Sequence, residues 1–359
     1  MGDEQLSSAK NFLVIAFIIF PYNACNCSVW ANPSKIQKNG IIHGSVSPVL
    51  IDPNSEIVKT PRVKDRPTIA LALGGGGIRG VAHIGVLRVL QKEGIPIDYI
   101  AGCSMGSIVG GLYCTGVPLD DIEKLLVDGS LQKAFAPGCI SLAVLMMPLK
   151  YLTCTLTFQE RPYAGLFDGK KFRAFIAKRL PEDKKLIENT NPPFAALATN
   201  LLDGKAYKLA KGDLADCIVA SSAISPIVRP VEIHGKLYVD GGISSNLPVI
   251  SARQFGADIV IAVPVDEILD PEPAKKYRSV RNVVTRIIDI VISIVDEHYL
   301  QNTDLVIMPD ISHVPIFTKK TKYIKSTIKA GENATYAALP AIREAIKKSQ
   351  LKISSETVP

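Results

Sequence analysis

Apolar positions recur with two different periods in the first half of the folded chain. Residues 68–75 (TIALALGG) form a short apolar run typical of a buried strand, and residues 78–94 carry apolar side chains at helical spacing. A second strand-like run follows at 96–104 and a second helix-like segment at 105–116. This strand–helix–strand–helix order predicts a parallel sheet with right-handed crossovers.

The same patterning sets the limits of the folded domain. Residues 32–66 contain prolines and polar residues with little periodicity, so they are expected to form a linker or an extended arm. The folded domain is therefore expected over 67–350, without internal repeats. Its additional strands are predicted at 193–201, 236–242, 257–265 and 304–310, and two helices at 169–180 and 333–348.

Two segments are apolar on almost every side. Residues 140–158 (ISLAVLMMPLKYLTCTLTF) contain Pro148 and Lys150 within an otherwise apolar run, which favours a buried core segment and leaves open a lid that touches lipid. Residues 283–295 (VVTRIIDIVISIV) predict a buried helix.

The first 31 residues resemble a targeting segment. Lys10 precedes a ten-residue apolar run that is too short to span a bilayer, and residues 29–31 offer a small-residue cleavage site. The pattern predicts a signal peptide and export to a periplasmic, secreted or membrane-associated location. Asp3 and Glu4 weaken the signal-peptide prediction, because such a segment normally begins with basic residues. A retained N-terminal anchor, or a cytoplasmic protein, remains the alternative.

Composition narrows the class of protein. The 359 residues are 47% hydrophobic and 21% charged, which suits a globular fold. The net charge of +7 favours an anionic surface such as phospholipid headgroups, although the scattered Lys and Arg are equally typical of an ordinary solvated surface. Metal-binding and nucleic-acid motifs are lacking, and the five cysteines after Ala31 are irregularly spaced, which disfavours a disulfide scaffold.

A glycine-rich loop follows the first predicted strand. Gly75, Gly77 and Gly80 spell G-x-G-x-x-G, as in dinucleotide-binding proteins. That fingerprint requires an acidic residue at the end of the second strand, whereas Asp98 lies at its start. A dinucleotide-dependent oxidoreductase is therefore the weaker interpretation.

The second strand ends in a different signal. Gly102, Ser104 and Gly106 form G-x-S-x-G between a strand and a helix, which is the context of a nucleophile elbow. The two glycines relieve crowding around a strained turn that presents the hydroxyl at a helix N-terminus. The motif predicts Ser104 as a nucleophile.

The glycine loop can then stabilise an oxyanion. Backbone N–H groups of Gly76 and Gly77 are open to close approach at a helix N-terminus, and the amide of Met105 can add a third donor. A tight turn with no catalytic role is the alternative.

The serine also needs a base. None of the five histidines, at 43, 83, 234, 298 and 313, lies in an evident motif. Asp240 is the better candidate, because it ends an apolar strand and is followed by Gly241 and Gly242. A free aspartate has a pKa of about 4, so this role requires desolvation or close alignment with the serine. Simple turn chemistry at Asp-Gly-Gly remains open.

Four motifs together resemble the patatin-like phospholipases, specifically the bacterial branch that is similar to the catalytic domain of neuropathy target esterase. The resemblance covers roughly 67–338. Its motifs are GGGGIRG (74–80), GCSMGS (102–107), ASSAISPIVRPV (220–231) and DGGISSNLP (240–248).

The resemblance implies a three-layer α/β/α fold with a mostly parallel central sheet, related to cytosolic phospholipase A2. It implies a Ser-Asp dyad of Ser104 and Asp240 without histidine. It also implies an oxyanion loop centred on Gly75, Gly76 and Gly77, and no metal or organic cofactor.

Arg79 matches the basic residue of the family. It is interpreted as steadying the loop or meeting a phosphate, with a solvated arginine at the helix start as the alternative.

The expected function is that of a serine acyl hydrolase acting on phospholipids or lysophospholipids through an acyl-enzyme. Peripheral contact with a membrane surface is expected, and nucleic acid is not a partner. A catalytically silent lipid-binding or storage protein on the same scaffold is the alternative. No sequence feature indicates an oligomeric state.

Overall fold

The computed structural model describes residues 49–51, 66–138, 163–265 and 271–356 except 313, 317 and 319, together with single positions 143, 146 and 269. The signal-peptide prediction (1–31), nearly all of the predicted linker or arm (32–66) and nearly all of the apolar segment 140–158 lie outside the described residues.

The strands form one sheet. In chain order they are β1 (Leu50–Ile51), β2 (Ile69–Leu73), β3 (Tyr99–Cys103), β4 (Phe194–Asn200), β5 (Lys205–Leu209), β6 (Val231–Ile233), β7 (Lys236–Asp240), β8 (Ile259–Val263) and β9 (Leu305–Val306).

The helices connect these strands, and two of them begin at the site that the sequence singled out. They are α1 (Ala82–Lys92), α2 (Met105–Cys114), α3 (Leu119–Val127), α4 (Ser130–Phe135), α5 (Lys170–Ala177), α6 (Leu214–Ser221), α7 (Val249–Arg253), α8 (Val280–Leu300) and α9 (Thr321–Glu356). A short 3-10 turn, Gly77–Val81, leads directly into α1.

The centre of the sheet is parallel. Strands run in the order β1-β5-β4-β3-β2-β8-β9, and the five from β4 to β9 are mutually parallel. β5 and β7 are antiparallel to β4, and β6 forms a hairpin with β7. The mostly parallel sheet is confirmed, with an antiparallel addition at one side.

Both faces of the sheet are covered, because alternate residues of β2 pack in opposite directions. Leu71 and its neighbours at 69 and 73 lie in a cluster with α1, α2 and α9. Ala70 and Ala72 lie in a second cluster with α7 and Tyr299 of α8. Helices on each side of a central sheet confirm the three-layer architecture.

One predicted burial is wrong. Residues 283–295 are helical, as predicted, and belong to α8, but several of their apolar side chains are exposed. Asp289 and Asp296 occupy the buried face of this helix, because their carboxylates bind loops at the edge of the sheet.

Candidate active site

The site forms where two strands meet end to end along β4. β3 pairs with the first half of β4, and Cys103 lies opposite Leu197. β7 takes over the same side of β4 and runs the opposite way, with Asp240 opposite Ala198. The carboxyl ends of β3 and β7 therefore converge at adjacent positions of β4. Asp240 ends a strand, as predicted, and that strand is antiparallel to β4.

Ser104 occupies a strained turn between β3 and α2. Its φ of 49° and ψ of −118° lie in a region that residues with a Cβ rarely adopt. A Cβ at Gly106 would collide with the Leu73 carbonyl, and one at Gly102 would lie 2.5 Å from the oxygen of Gly106. Both glycines are therefore required for this turn, which has the shape of a nucleophile elbow.

The Ser104 hydroxyl donates a hydrogen bond to Asp240. Oγ lies 2.6 Å from Asp240 Oδ2, and the two residues are only 7% and 8% exposed. The other carboxylate oxygen accepts the N–H of Gly242 at 2.8 Å. Gly241 allows the end of β7 to lie close to the end of β3, because a Cβ on Gly241 would be only 2.8 Å from Cys103 Sγ.

Burial changes the acid strength of Asp240. Loss of hydration raises its pKa from 3.8 to about 6, and the hydrogen bonds from Ser104 and Gly242 offset part of that rise. A carboxylate with this pKa is a stronger base than an ordinary aspartate and is still mostly ionised at neutral pH.

The backbone of Ser104 is held by residues that the sequence analysis did not select. Its N–H donates to Ser221 Oγ at 3.1 Å, and Ser221 donates in turn to the Leu197 carbonyl. Ser107 Oγ donates to the Ser104 carbonyl at 2.7 Å. Ser221 lies in the ASSAISP motif (220–226), and membership of a family motif was the signal that could have identified it.

The glycine loop runs beside the serine. A Cβ on Gly75 would lie 3.0 Å from Ser104 Cβ. The Gly75 N–H donates to the Asn246 carbonyl at 3.2 Å, so it is not available as the oxyanion donor that the family resemblance implied. Among the described residues, none accepts a hydrogen bond from the N–H of Gly76, Gly77 or Met105.

Asn246 ties the loop to the rest of the site. Its Nδ2 donates to the Gly75 carbonyl at 3.1 Å and to Asp296 Oδ2 at 2.8 Å. Asp296 also accepts the N–H of Leu247 at 2.9 Å. Asn246 and Asp296 were not predicted as site residues, because their contacts with the glycine loop and with each other depend on which loops meet in the fold.

His83 supports the glycine loop from helix α1. His83 is fully buried and bonds to the Gly74 carbonyl at 2.8 Å. A carbonyl can only accept, so Nε2 carries the proton. Burial lowers the His83 pKa from 6.5 to about 4, which leaves the ring neutral at physiological pH. His83 is therefore a support of the loop and not a base for Ser104.

Arg79 is 3% exposed, so the solvated-arginine interpretation is wrong. Its Nε donates to the Val314 carbonyl at 2.7 Å, and one terminal nitrogen lies 3.3 Å from Asp289 of α8. This geometry favours a loop-steadying role over contact with a phosphate in solvent.

Within the described ranges, no cluster of three or more His, Cys, Asp or Glu side chains is arranged to hold an ion.

Fold and site together define a class: α/β proteins in which a serine at a nucleophile elbow is hydrogen-bonded to a buried carboxylate beneath a glycine-rich loop. The family model for patatin-like phospholipases matches residues 71–253, about half of the chain, and includes all of these features. The chain belongs to the patatin-like phospholipase family.

Related proteins share this part of the chain. An NTE family protein of Mycobacterium tuberculosis is 35% identical over 208 residues, covering 57% of this chain and 51% of its own. Lysophospholipase NTE1 of Candida glabrata is 29% identical over 220 residues, covering 61% of this chain and 12% of its own. The chain thus spans about half the length of the mycobacterial relative and a small part of the fungal one.

A solved structure also resembles the chain. VipD from Legionella pneumophila aligns with a TM-score of 0.43 at 16% identity, over 84% of this chain and 72% of that one.

Proposed function

We propose that the protein is a serine acyl hydrolase that cleaves fatty-acyl esters of phospholipids or lysophospholipids. The observation that carries this proposal is the 2.6 Å hydrogen bond from Ser104 Oγ to Asp240 Oδ2 at a strained elbow. Ser104 is the nucleophile and Asp240 is its base, without participation of histidine.

In the first step, Ser104 Oγ attacks the acyl carbonyl carbon while its proton passes to Asp240 Oδ2. The tetrahedral intermediate then collapses, the ester C–O bond breaks, and the alcohol leaves with the proton from Asp240. The acyl group remains bonded to Ser104 Oγ.

The negative charge on the intermediate is stabilised by main-chain donors. The N–H groups of Gly76, Gly77 and Met105 are the candidates, since no described residue uses them. Met105 opens α2, so its amide lies at the positive end of that helix dipole. Each such donor is typically worth about 3 kcal/mol in the transition state.

In the second step, a water molecule attacks the acyl-enzyme and gives a proton to Asp240. Collapse of the second intermediate returns this proton to Ser104 Oγ and releases the fatty acid. Asp240 ends each cycle ionised, which its pKa of about 6 permits at neutral pH.

The substrate class is supported by the family and by the fungal relative, which is named a lysophospholipase. A catalytically silent lipid-binding protein would have the same fold, so turnover has to be measured directly.

The test combines active-site labelling with lipid hydrolysis. We expect a fluorophosphonate to label Ser104 and the protein to release fatty acid from lysophosphatidylcholine or phosphatidylcholine. Ser104→Ala and Asp240→Asn should each abolish release. Ser222→Ala is the matched control, because Ser222 is also buried but bonds only within α6 and its turn.

Labelling without hydrolysis of any lipid would leave the silent protein as the better description. Full activity of either variant would remove that residue from the mechanism.

Export through a cleaved N-terminal segment is proposed on the sequence pattern alone. Mass spectrometry of the native protein should show an N-terminus near residue 32, and an intact Met1 or Gly2 would contradict cleavage.

A further inference from the structure

Helix α8 carries an exposed apolar stripe. Six of the described apolar side chains of α8 are exposed, and five of them form the stripe, whose two most exposed members are Ile287 (54%) and Ile294 (64%). The sixth, Ile288 (42%), lies to one side of it. All five members follow helical spacing: Val283, Ile287, Ile290, Val291 and Ile294.

The opposite side of the same helix binds the site. At about 100° per residue, the stripe is centred close to Ile294, and Asp289 and Asp296 project from the far side. Asp289 holds Arg79, and Asp296 holds Asn246 and the N–H of Leu247. One face of α8 is therefore fixed to the loops around Ser104 while the other meets solvent.

The stripe extends to the edge of the sheet where the site lies. α8 connects the parallel strands β8 and β9, so it runs antiparallel to them and begins at their carboxyl edge. It has 21 residues, about 31 Å, against about 17 Å for the five residues of β8. Tyr299 and Leu300 of its last turn belong to the core cluster that contains β8, and Asp289 near its middle holds Arg79, which follows the carboxyl end of β2. The first half of α8 consequently projects past the edge where Ser104 sits.

Positive charge lies next to this projecting end. Lys275, Lys276 and Arg278 are all exposed in the short turn just before α8, and Glu272 pairs with Lys276. An apolar stripe flanked by basic residues is the pattern of a helix that lies in the interface of an anionic bilayer. In the described part of the chain, no helix combines the length and apolarity needed to cross a membrane.

We propose that the α8 stripe is the surface by which this protein docks on an anionic lipid bilayer. The inference rests on the proposed function for its substrate, and it adds which face meets the lipid. Val283, Ile287, Ile290, Val291 and Ile294 enter the headgroup boundary, and Lys275 and Arg278 contact the lipid phosphates. Because the same helix holds Arg79 and Asn246, docking places the Ser104 site at the lipid surface.

Vesicle binding tests this proposal without any need for hydrolysis. The full chain carrying Ser104→Ala is sedimented with vesicles of phosphatidylcholine mixed with phosphatidylglycerol, and with phosphatidylcholine alone. We expect stronger binding to the mixed vesicles. Ile287→Glu/Ile294→Glu should weaken binding by about tenfold or more, since each isoleucine loses its burial in the interface.

The matched control is Leu351→Glu. Leu351 is 63% exposed, as much as Ile294, but it lies near the end of α9. We expect this variant to bind vesicles like the parent. Lys275→Glu/Arg278→Glu should reduce binding to the mixed vesicles and leave binding to phosphatidylcholine alone unchanged.

A second readout keeps folding separate from docking. With Ser104 restored, Ile287→Glu/Ile294→Glu should hydrolyse a soluble short-chain ester at the parent rate and vesicle lipid at least about tenfold more slowly. Failure of the soluble-ester reaction in the parent would count against the proposed function alone.

The docking proposal is overturned if the parent does not bind either vesicle, or if the double isoleucine variant binds as well as the Leu351→Glu control. It is also overturned if light scattering shows a parent dimer that the isoleucine variant converts to a monomer, since a second copy would then cover the stripe.

Discussion

The side chain of Asn246 donates a hydrogen bond to the carbonyl of Gly75, 3.1 Å away, although 171 residues separate them in the chain. The same pair is joined a second time, because the Gly75 N–H donates to the Asn246 carbonyl. This double link fixes the glycine loop against the turn that follows Asp240. The loop that would stabilise an oxyanion and the strand end that supplies the base are thus held as one unit.

Removing the Asn246 side chain should therefore impair catalysis as well as stability. In Asn246→Ala, Asp296 and the Gly75 carbonyl each lose a buried partner, which costs roughly 1–3 kcal/mol of folding free energy. We expect kcat to fall roughly 100-fold with little change in KM, because a displaced loop weakens only transition-state stabilisation.

Asn200→Ala is the control for that experiment. Asn200 is as buried as Asn246, but its side chain accepts the N–H of Leu202 in the turn after β4. A fall in kcat of the same size in both variants would show that general loss of packing, and not the Gly75 contact, sets the rate.

The pH dependence of activity should follow Asp240. The carboxylate must be ionised to accept the Ser104 proton, and its pKa is about 6 because it is buried. We expect kcat/KM to fall tenfold per pH unit below about pH 6 and to level off above it. The rate of fluorophosphonate labelling should show the same limb, since it uses the same proton transfer. A limb near pH 4 would mean that Asp240 is solvated in the working enzyme.

The buried, ionised Asp240 should also lower the free energy of unfolding at neutral pH. The folded protein holds the proton up to about pH 6, whereas the unfolded chain releases it near the ordinary pKa of 3.8. As pH rises between these values, the unfolded state gains about 3 kcal/mol relative to the folded one. Asp240→Asn should therefore be inactive but more stable at pH 7 than the parent.

That gain should shrink towards zero as the pH approaches 4, and chemical denaturation at several pH values measures it. Asp203→Asn is the control, because partial desolvation raises the Asp203 pKa but hydrogen bonds, including those from Tyr207 and Lys205, outweigh it and leave the pKa below its ordinary value. An equal gain in that variant would indicate a general effect of removing negative charge.

The central elements could be predicted because their signals are local. The runs at 68–75 and 96–104 became β2 and β3, since each is apolar enough for a strand buried on both faces. β5 was missed because two lysines interrupt Lys205–Leu209, and one of them, Lys208, is nonetheless fully buried against the Phe255 ring. Such a placement depends on the tertiary contacts and not on the segment itself.

The candidate site was predictable to the same extent. Ser104 and Asp240 were found because an elbow and a strand end have compositional signatures. Asn246, Asp296 and Ser221 act through contacts with distant loops, so their roles follow only from the meeting of β3 and β7 on β4. For the same reason the exposure of α8 was missed: its apolar pattern does not say which side the site loops occupy.

The buried ring of His83 should lower the free energy of unfolding as the pH falls, whereas Asp240 should raise it. Below about pH 6.5 the unfolded chain takes up a proton on this histidine, whereas the folded protein does not until about pH 4. Between pH 6.5 and 4, His83 therefore lowers the free energy of unfolding of the parent by about 3 kcal/mol, and Asp240 raises it by a similar amount. In His83→Gln, which can still donate to Gly74, stability should rise relative to the parent as pH falls from 6.5 to 4. In Asp240→Asn, the loss through His83 should appear undiminished. Parallel pH profiles of the free energy of unfolding for these two variants would contradict the opposition, since only opposite signs at the two groups make the profiles diverge.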